Sequence, residues 1–357
     1  MLRCFNRMAF AGALSASIVG FSITANAADA EPVSFKGKTV SMIIGFPPGG
    51  GTDASGRLIA NYLGKYLPGG PTVVSRNMPG VDGITALNYL VQQTKPDGLT
   101  VTMGASTQAD PLNYRKASAV YDPSKFGIIG GIGRGGTILL ISTEAEKRLH
   151  DKSAPPAVIG SIEAIPRSGG QMGAWGIAFL GWNAKWVVGY RGTSDLTLAL
   201  ERHEIDATST ANMFQIEKFT QGGDFKILVQ SGALVGGKVR GRPDFGNAPV
   251  LPELMEGKIS DALGQAAFKY WQSISSIDKW VALAPNTPPE ILATYREAFK
   301  KVGADPQFVA DGKRLSEDFT PMAQEDVEIL INTLASTPPE AMDYIAKMLQ
   351  KQGLRAE

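Results

Sequence analysis

The chain has 357 residues, 35 Lys and Arg against 34 Asp and Glu, a formal net charge of +1 and one cysteine. A balance this close to neutral gives no bulk electrostatic attraction for nucleic acid. One cysteine cannot build a disulfide framework or a cysteine metal site.

The first element is a targeting signal. Arg3 and Arg7 precede an uncharged apolar run over residues 8–23, and Ala25-Asn26-Ala27 follows as a small-x-small cleavage pattern. That order is a secretory signal peptide over residues 1–27, cleaved near Ala27/Ala28, and it implies a periplasmic protein. An uncleaved anchor is the alternative. The apolar run of about 16 residues is shorter than the roughly 20 that span a bilayer, and no later run is long enough. Cys4 lies too early to carry a lipid. Cleavage removes Arg3, Arg7 and Cys4, so Lys+Arg falls from 35 to 33 against 34 acidic residues, and no thiol remains for chemistry. The remaining 330 or so residues suit two domains.

Residues 39–45 (TVSMIIG) predict a short buried strand. Two prolines and three glycines, Pro47 to Gly51, then interrupt any regular structure. Thr52 or Asp53 is expected to cap a helix through about Leu67, with Leu58, Ile59, Tyr62, Leu63 and Tyr66 on one face. Residues 72–75 predict a strand, residues 78–83 a turn, and a helix follows to about Gln93. Pro96-Asp97-Gly98 turns into a third strand over residues 99–104. This β-α-β-α-β order implies a parallel sheet with right-handed crossovers.

Residues 126–143 form a glycine-punctuated extended stretch suited to crossing between domains. A second α/β set follows: strands at 155–161, 185–190, after 204 and at 225–231, with helices starting near 168–170 and over 194–202. Residues 280–285 predict a strand that returns to the first domain. Helices are expected over 288–303, 306–315 and 323–334, and after Pro338-Pro339. The resulting fold class is α/β in two lobes. The first lobe is discontinuous (28–138 and 283–357), and residues 139–282 form the second. Such an arrangement predicts a ligand cleft that closes by hinge motion.

Several motifs bear on chemistry. The loop Pro47-Pro48-Gly49-Gly50-Gly51-Thr52-Asp53 joins a strand end to a helix start, where free N–H groups and the helix dipole favour an oxygen-rich ligand. Its other reading is a tight turn. It is no phosphate-binding Walker loop, because Gly-Lys-Ser/Thr does not follow. Asn77-Met78-Pro79-Gly80-Val81-Asp82-Gly83 repeats the arrangement after the next strand, and Gly104-Ala105-Ser106-Thr107 adds hydroxyls at a third. Adjacent strand ends of an open parallel sheet share one crevice. Gly131-Ile132-Gly133-Arg134-Gly135-Gly136 has dinucleotide-loop spacing, but the strand-like TILLIS that follows stands where that fingerprint needs a helix. Arg134 either points into the cleft or is solvated. The two histidines, His150 and His203, have no metal-ligand spacing, and no G-x-S-x-G elbow occurs. All five tryptophans lie between Trp175 and Trp280. They read as core of the second lobe, with Trp271 or Trp280 stacking on an aromatic ligand as the alternative.

Taken together, these motifs resemble the extracytoplasmic receptors of the tripartite tricarboxylate transporters, the Bug-type solute-binding proteins. The first loop fits F-x-P-G-G-x-x-D, the second resembles N-x-P-G-A-G-G, and Pro96-Asp97-Gly98 matches the family's P-D-G. Tyr190-Arg191-Gly192 resembles Y-K-G, and WVALAPNTPP from Trp280 matches W-x-x-L-x-A-P-x-x-T-P-P. Asp305-Pro306 fits a later D-P turn. The resemblance implies a type II periplasmic-binding fold, no enzymatic activity, no cofactor, and a monomer that delivers a small organic acid to membrane permease subunits. By position it assigns contacts to Phe46, Pro48, Gly49, Gly50, Gly51, Gly80, Val81, Asp82 and Gly83. Ser106 and Thr107 would add to these from the first lobe. Ser168, Gly169, Tyr190, Thr210, Ala211 and Asn212 would face them from the second. Val81-Asp82-Gly83 departs from the family's Ala-Gly-Gly. Asp82 either faces the cleft, where it would favour an amine or hydroxyl over a second carboxylate, or caps the next helix. A sensor for a membrane kinase and a secreted hydrolase are the competing functions.

Overall fold

A computed structural model describes residues 33–133, 136–162, 164–166, 168–316 and 319–354. The expected signal segment and Arg134 lie outside the described residues.

Thirteen strands occur among the described residues. They are β1 (Thr39–Ile44), β2 (Thr72–Asn77), β3 (Thr100–Ala105), β4 (Gly127–Gly133), β5 (Ile138–Ser142), β6 (Ala157–Ser161), β7 (Ala184–Val188), β8 (Ala207–Thr210), β9 (Phe225–Gln230), β10 (Ala233–Val235), β11 (Lys238–Arg240), β12 (Ile277–Leu283) and β13 (Thr320–Met322). All but the β10–β11 hairpin belong to two larger sheets. The first has the order β13-β4-β12-β3-β1-β2, and the second β7-β6-β8-β5-β9. Within each, one strand is flanked by two parallel neighbours: β1 by β2 and β3, β6 by β7 and β8. An antiparallel strand then follows, β12 in the first sheet and β5 in the second. The two sheets are therefore built on one plan, a strand order of second-first-third, an antiparallel insert, then a fourth.

The insert is where the chain crosses. β4 ends at Gly133 and β5 begins in the second sheet at Ile138, while β12 re-enters the first sheet at Ile277. Gly133 pairs with Ile277, and Ala105, the last residue of β3, pairs with Lys279. Ile138, the first residue of β5, pairs with Thr210, the last of β8. The C-terminal ends of the parallel strands in both sheets thus lie on the side where the chain crosses.

Burial explains the strands. Met42, Ile43 and Ile44 are all buried, as expected for a parallel strand covered on both faces. The helix Gly51–Tyr66 lays Ile59, Ala60 and Leu63 onto that sheet. Each fully buried Ile or Leu contributes about 1.5–3 kcal/mol. Gly104 in β3 leaves the space that Trp280 of β12 fills, since a Cβ there would lie 2.2 Å from the indole. Trp280 is fully buried, and its Nε1 donates to the Ala105 carbonyl at 3.0 Å.

The largest apolar cluster joins both sheets. It runs from Ile128 and Trp280 through Trp271, Leu330 and Ile345 to Met172, Ile159 and Leu139. Its middle is made by three helices, Ala262–Ser276, Gln324–Ser336 and Pro339–Gln350. The last of these ends against the second sheet's own layer: Gln352 donates from Nε2 to the Ala174 carbonyl and accepts from Trp186 Nε1. The first of the three is absent from the sequence reading, as are the β10–β11 hairpin and β13. Trp271 and Trp280 are 1% and 0% exposed, which rules out the stacking role considered for them. Trp280 also belongs to the first sheet rather than to the second lobe's core.

Candidate functional site

The first glycine loop is held by one carboxylate. The helix Gly51–Tyr66 has Gly50 as its N-cap, with no side-chain cap, so neither Thr52 nor Asp53 takes the expected capping position. Asp53 is instead buried in the first turn. Its Oδ2 accepts the Gly49 N–H at 2.9 Å, and both oxygens accept from Arg57 Nε at 3.0 Å. Asn77, the last residue of β2, donates through Nδ2 to Asp53 Oδ1 at 2.8 Å and to the Phe46 carbonyl at 2.9 Å. Arg57 Nη2 closes the ring by donating to Asn77 Oδ1 at 2.8 Å. Hydrogen bonding from Arg57 holds the Asp53 carboxyl down at about 2, with Gly49 and Asn77 adding to it and burial opposing. The phenylalanine, aspartate and asparagine of the two loop motifs are thus one clasp joining the first loop to the root of the second.

A second clasp joins the second loop to β3. Gln108 is fully buried, accepts the Ala105 N–H at 2.9 Å and donates to the Gly83 carbonyl at 2.8 Å. A Cβ on Gly45, at the end of β1, would sit 3.0 Å from Gly83 Cα. The three strand ends therefore meet, as the strand order implied. Neither Gln108 nor Arg57 was singled out from sequence. Arg57 had a readable signal, the i,i+4 spacing from Asp53.

Between these clasps the loops are open. Pro47 to Gly51, Val81, Asp82 and Thr107 are exposed, Phe46 and Gly80 are half-buried, and Gly83 and Ser106 are buried. At the helix start the first N–H groups have no carbonyl four residues back to receive them. The second loop runs through four consecutive residues of positive φ: Gly80 at 145°, Val81 at 47°, Asp82 at 53° and Gly83 at 87°. A β-branched residue in the left-handed region is strained, and such strain concentrates at ligand clamps. The helix Ile84–Gln93 takes Gly83 as its N-cap without a side-chain bond. Asp82 therefore caps nothing, which corrects one of the two readings given for it. Its side chain is exposed, with no hydrogen bond or ion pair among the described residues.

On the second sheet, a cavity of about 270 Å³ opens at the ends of β6 and β8. Thr210 and Ala211 are among the residues that line it, together with Thr137, Ser161, Trp186 and Ser209. Ser168 and Gly169 lie beside it. A Cβ on Gly169 would touch Thr137 Oγ1, and the Ser168 carbonyl accepts from Trp271 Nε1 at 2.6 Å. Tyr190 and Asn212 are not among the lining residues. Tyr190 packs into the apolar layer under the sheet, and burial raises its hydroxyl pKa. Asn212 caps the helix Met213–Thr220 by accepting the Gln215 N–H. No cluster of three or more His, Cys, Asp or Glu among the described residues could hold a metal ion.

Two sheets of one plan, joined by crossing segments and carrying loop rims on the crossing side, define a two-lobed α/β fold. No family model matches the chain. By sequence it is 24% identical over 306 residues to a UPF0065 protein of Bordetella pertussis, covering 79% of this chain and 82% of that one. A stretch of 94 residues is 33% identical to Protein BugT of the same organism, covering 26% of this chain and 28% of that protein. Among solved structures, a TctC solute binding protein from Polaromonas, crystallised without ligand, matches with a TM-score of 0.64 at 18% identity, over 89% of this chain and 100% of that one. The chain is thus similar in sequence to a UPF0065 protein and, over a shorter stretch, to BugT, and it has the fold of a TctC solute binding protein.

Proposed function

We propose that the protein is a periplasmic receptor that binds a small organic acid between two lobes and delivers it to a membrane permease of the tripartite tricarboxylate type. One lobe is built on the first sheet, which takes in β12 from Ile277 and so moves the expected boundary at 283 back to 277, and the other on the second sheet, β5 to β9. The carboxylate sits against the backbone of Gly50, Gly51 and Thr52 on one side and of Gly80, Val81 and Asp82 on the other.

The observation that carries this reading is the Asp53–Arg57–Asn77 clasp. It fixes the first exposed glycine loop and ties it to the root of the second, so that the helix-start N–H groups of Gly51 and Thr52 stay available for an anion. A loop of this kind binds without a catalytic group, and its output is capture. Receptors of this type commonly close on the ligand as the lobes approach.

A thermal-shift screen of monocarboxylates, dicarboxylates, aromatic acids and amino acids tests the proposal. An acid at about a hundred times its dissociation constant adds roughly 2.7 kcal/mol of stability. Gly50→Leu supplies the control. Gly50 has φ −83°, and the nearest atom a Cβ would meet is the Pro47 carbonyl oxygen at 3.9 Å. The variant folds, and it no longer responds to any acid. If no small acid stabilises the wild type, or if Gly50→Leu binds as well, the proposal is wrong.

A further inference from the structure

We infer that the β10–β11 hairpin is a strap behind the hinge, which holds the cleft open until a bound acid closes it. This rests on the reading above, in which two lobes close on a ligand.

The hairpin is rooted in the second lobe. It leaves the end of β9, and its strands pair Ala233 with Arg240, Leu234 with Val239 and Val235 with Lys238. Gln230, the buried last residue of β9, fixes the root. Its Oε1 accepts the Arg242 N–H at 2.7 Å, and its Nε2 donates to the Ala248 carbonyl at 2.8 Å. Next to it, the Ser231 N–H donates at 2.8 Å to the carbonyl of Thr137, the residue before β5.

The tip lands in the first lobe. Gly236 and Gly237 make the two-residue turn, with φ of 60° and 74°. A tight hairpin of this kind needs two left-handed residues, and such a turn brings successive N–H groups toward one point. Both groups meet Asp326, in the first turn of the helix Gln324–Ser336. The Gly236 N–H donates to Oδ2 at 3.0 Å, and the Gly237 N–H to Oδ1 at 2.7 Å. Asp326 is 5% exposed. Ile329, one turn further on, lies under the tip, since a Cβ on Gly237 would be 3.5 Å from its Cδ1. The helix itself packs on β4 of the first sheet. Hydrogen bonds to a charged acceptor are stronger than neutral ones, so the tip is held rather than merely adjacent.

The strand orders place this tie behind the hinge. In the first sheet, β4 and β12, which carry the crossings, stand between the loop strands β3, β1 and β2 and the edge strand β13. In the second, β5 stands between β8, β6 and β7 and the edge strand β9. The strap leaves β9 and ends on the helix that follows β13. The loops and the strap are therefore on opposite sides of the crossing strands. Bodies that turn about a hinge part on one side as they approach on the other. Closing the cleft thus draws the hairpin tip away from Asp326. With the strap engaged, Gly49, Gly50, Gly51, Val81 and Asp82 are exposed, as an open cleft requires. A bound acid must offset the loss of both hydrogen bonds, so the strap lowers the apparent affinity and keeps the empty receptor distinct from the loaded one.

The test uses the mature protein with spin labels on Val74→Cys and Leu198→Cys, one in each lobe and both exposed. Cys4 is the chain's only cysteine and precedes the expected cleavage site, so the two labels are the only thiols. Distances are measured by double electron–electron resonance without any acid. The parent gives one distance, and Asp326→Asn adds a shorter population. Acetate, succinate, benzoate and glutamate are then titrated by calorimetry. Those that bind should bind Asp326→Asn about fivefold or more tightly, because more of the protein is already closed. Ile329→Arg acts in the same direction, since an arginine there displaces the tip and competes for Asp326 at i,i+3. Position 329 is on the surface, so this variant carries both measurements if Asp326→Asn fails to fold. A distance distribution that neither variant changes, or affinities that stay the same or fall, overturns the strap. Should no acid of the screen bind, the receptor reading fails, while the distances in the empty protein still decide the strap.

Discussion

Replacing Asp53 by Asn isolates the clasp on which the site depends. Every group facing that carboxylate is a donor: the Gly49 N–H, Arg57 Nε and Asn77 Nδ2. An amide keeps the shape but turns its own NH2 toward one of them. Hydrogen bonds to a charged group contribute about 1.5–3 kcal/mol each, and the half-exposed Arg57 recovers part of its loss from water. The variant should therefore lose about 2–4 kcal/mol at pH 7, read by urea unfolding. The pH dependence gives an independent check. The Asp53 pKa is held at about 2 in the folded protein against 3.8 for the free group. A lowered carboxyl pKa stabilises above the unfolded value and loses that effect as pH falls through the folded one. The gap between wild type and Asp53→Asn should be full above pH 5 and shrink steadily toward pH 2. A variant within about 0.5 kcal/mol of wild type at pH 7, or a gap that stays constant in acid, would refute the clasp.

Other substitutions probe the second loop. Gly83→Ala puts a Cβ 2.7 Å from Gln108, which is bonded at both ends and cannot swing away, at a φ of +87°. It should cost about 2–4 kcal/mol by chemical denaturation, whereas Gly51→Ala, with no atom within 4 Å, should be close to neutral. Val81→Gly removes a strained left-handed valine that is 58% exposed and so loses little burial. Melting should show a gain of about 0.5–1 kcal/mol once the added freedom of the unfolded glycine is counted; a loss would mean that the Val81 side chain makes a contact worth more than the strain. Asp82→Asn should leave the melting temperature unchanged, because its exposed carboxylate makes no hydrogen bond or ion pair among the described residues; a clear loss would show that it holds the loop.

The first-lobe rim was legible because its signals are local. A buried run such as TVSMII predicts its own strand, and Pro-Pro-Gly-Gly-Gly can only be a loop. Three such units in order then bring their ends together. The clasps were not legible, because Asp53 and Asn77 are 24 residues apart and meet only through the register of β1 on β2. The lining of the second-sheet cavity was harder to read. Thr210 and Ala211 follow a strand end, which is a local signal, whereas Thr137, Ser161 and Trp186 come from three separate segments that no spacing connects. The helix Ala262–Ser276 was missed although its signal is local. Its buried residues Gly264, Ala267, Phe268 and Trp271 fall at i, i+3, i+4 and i+7, a stripe that was there to be read, so this omission has no physical excuse.

The most direct test of the central claim is to map where a bound acid touches the backbone. In an amide NMR titration of the labelled protein with the tightest acid of the screen, the account predicts the largest shifts at Gly50, Gly51, Thr52, Val81 and Asp82, with Gly49 moving less because its N–H is already held by Asp53. Saturable binding that leaves those amides in place, and shifts only residues elsewhere, would contradict it.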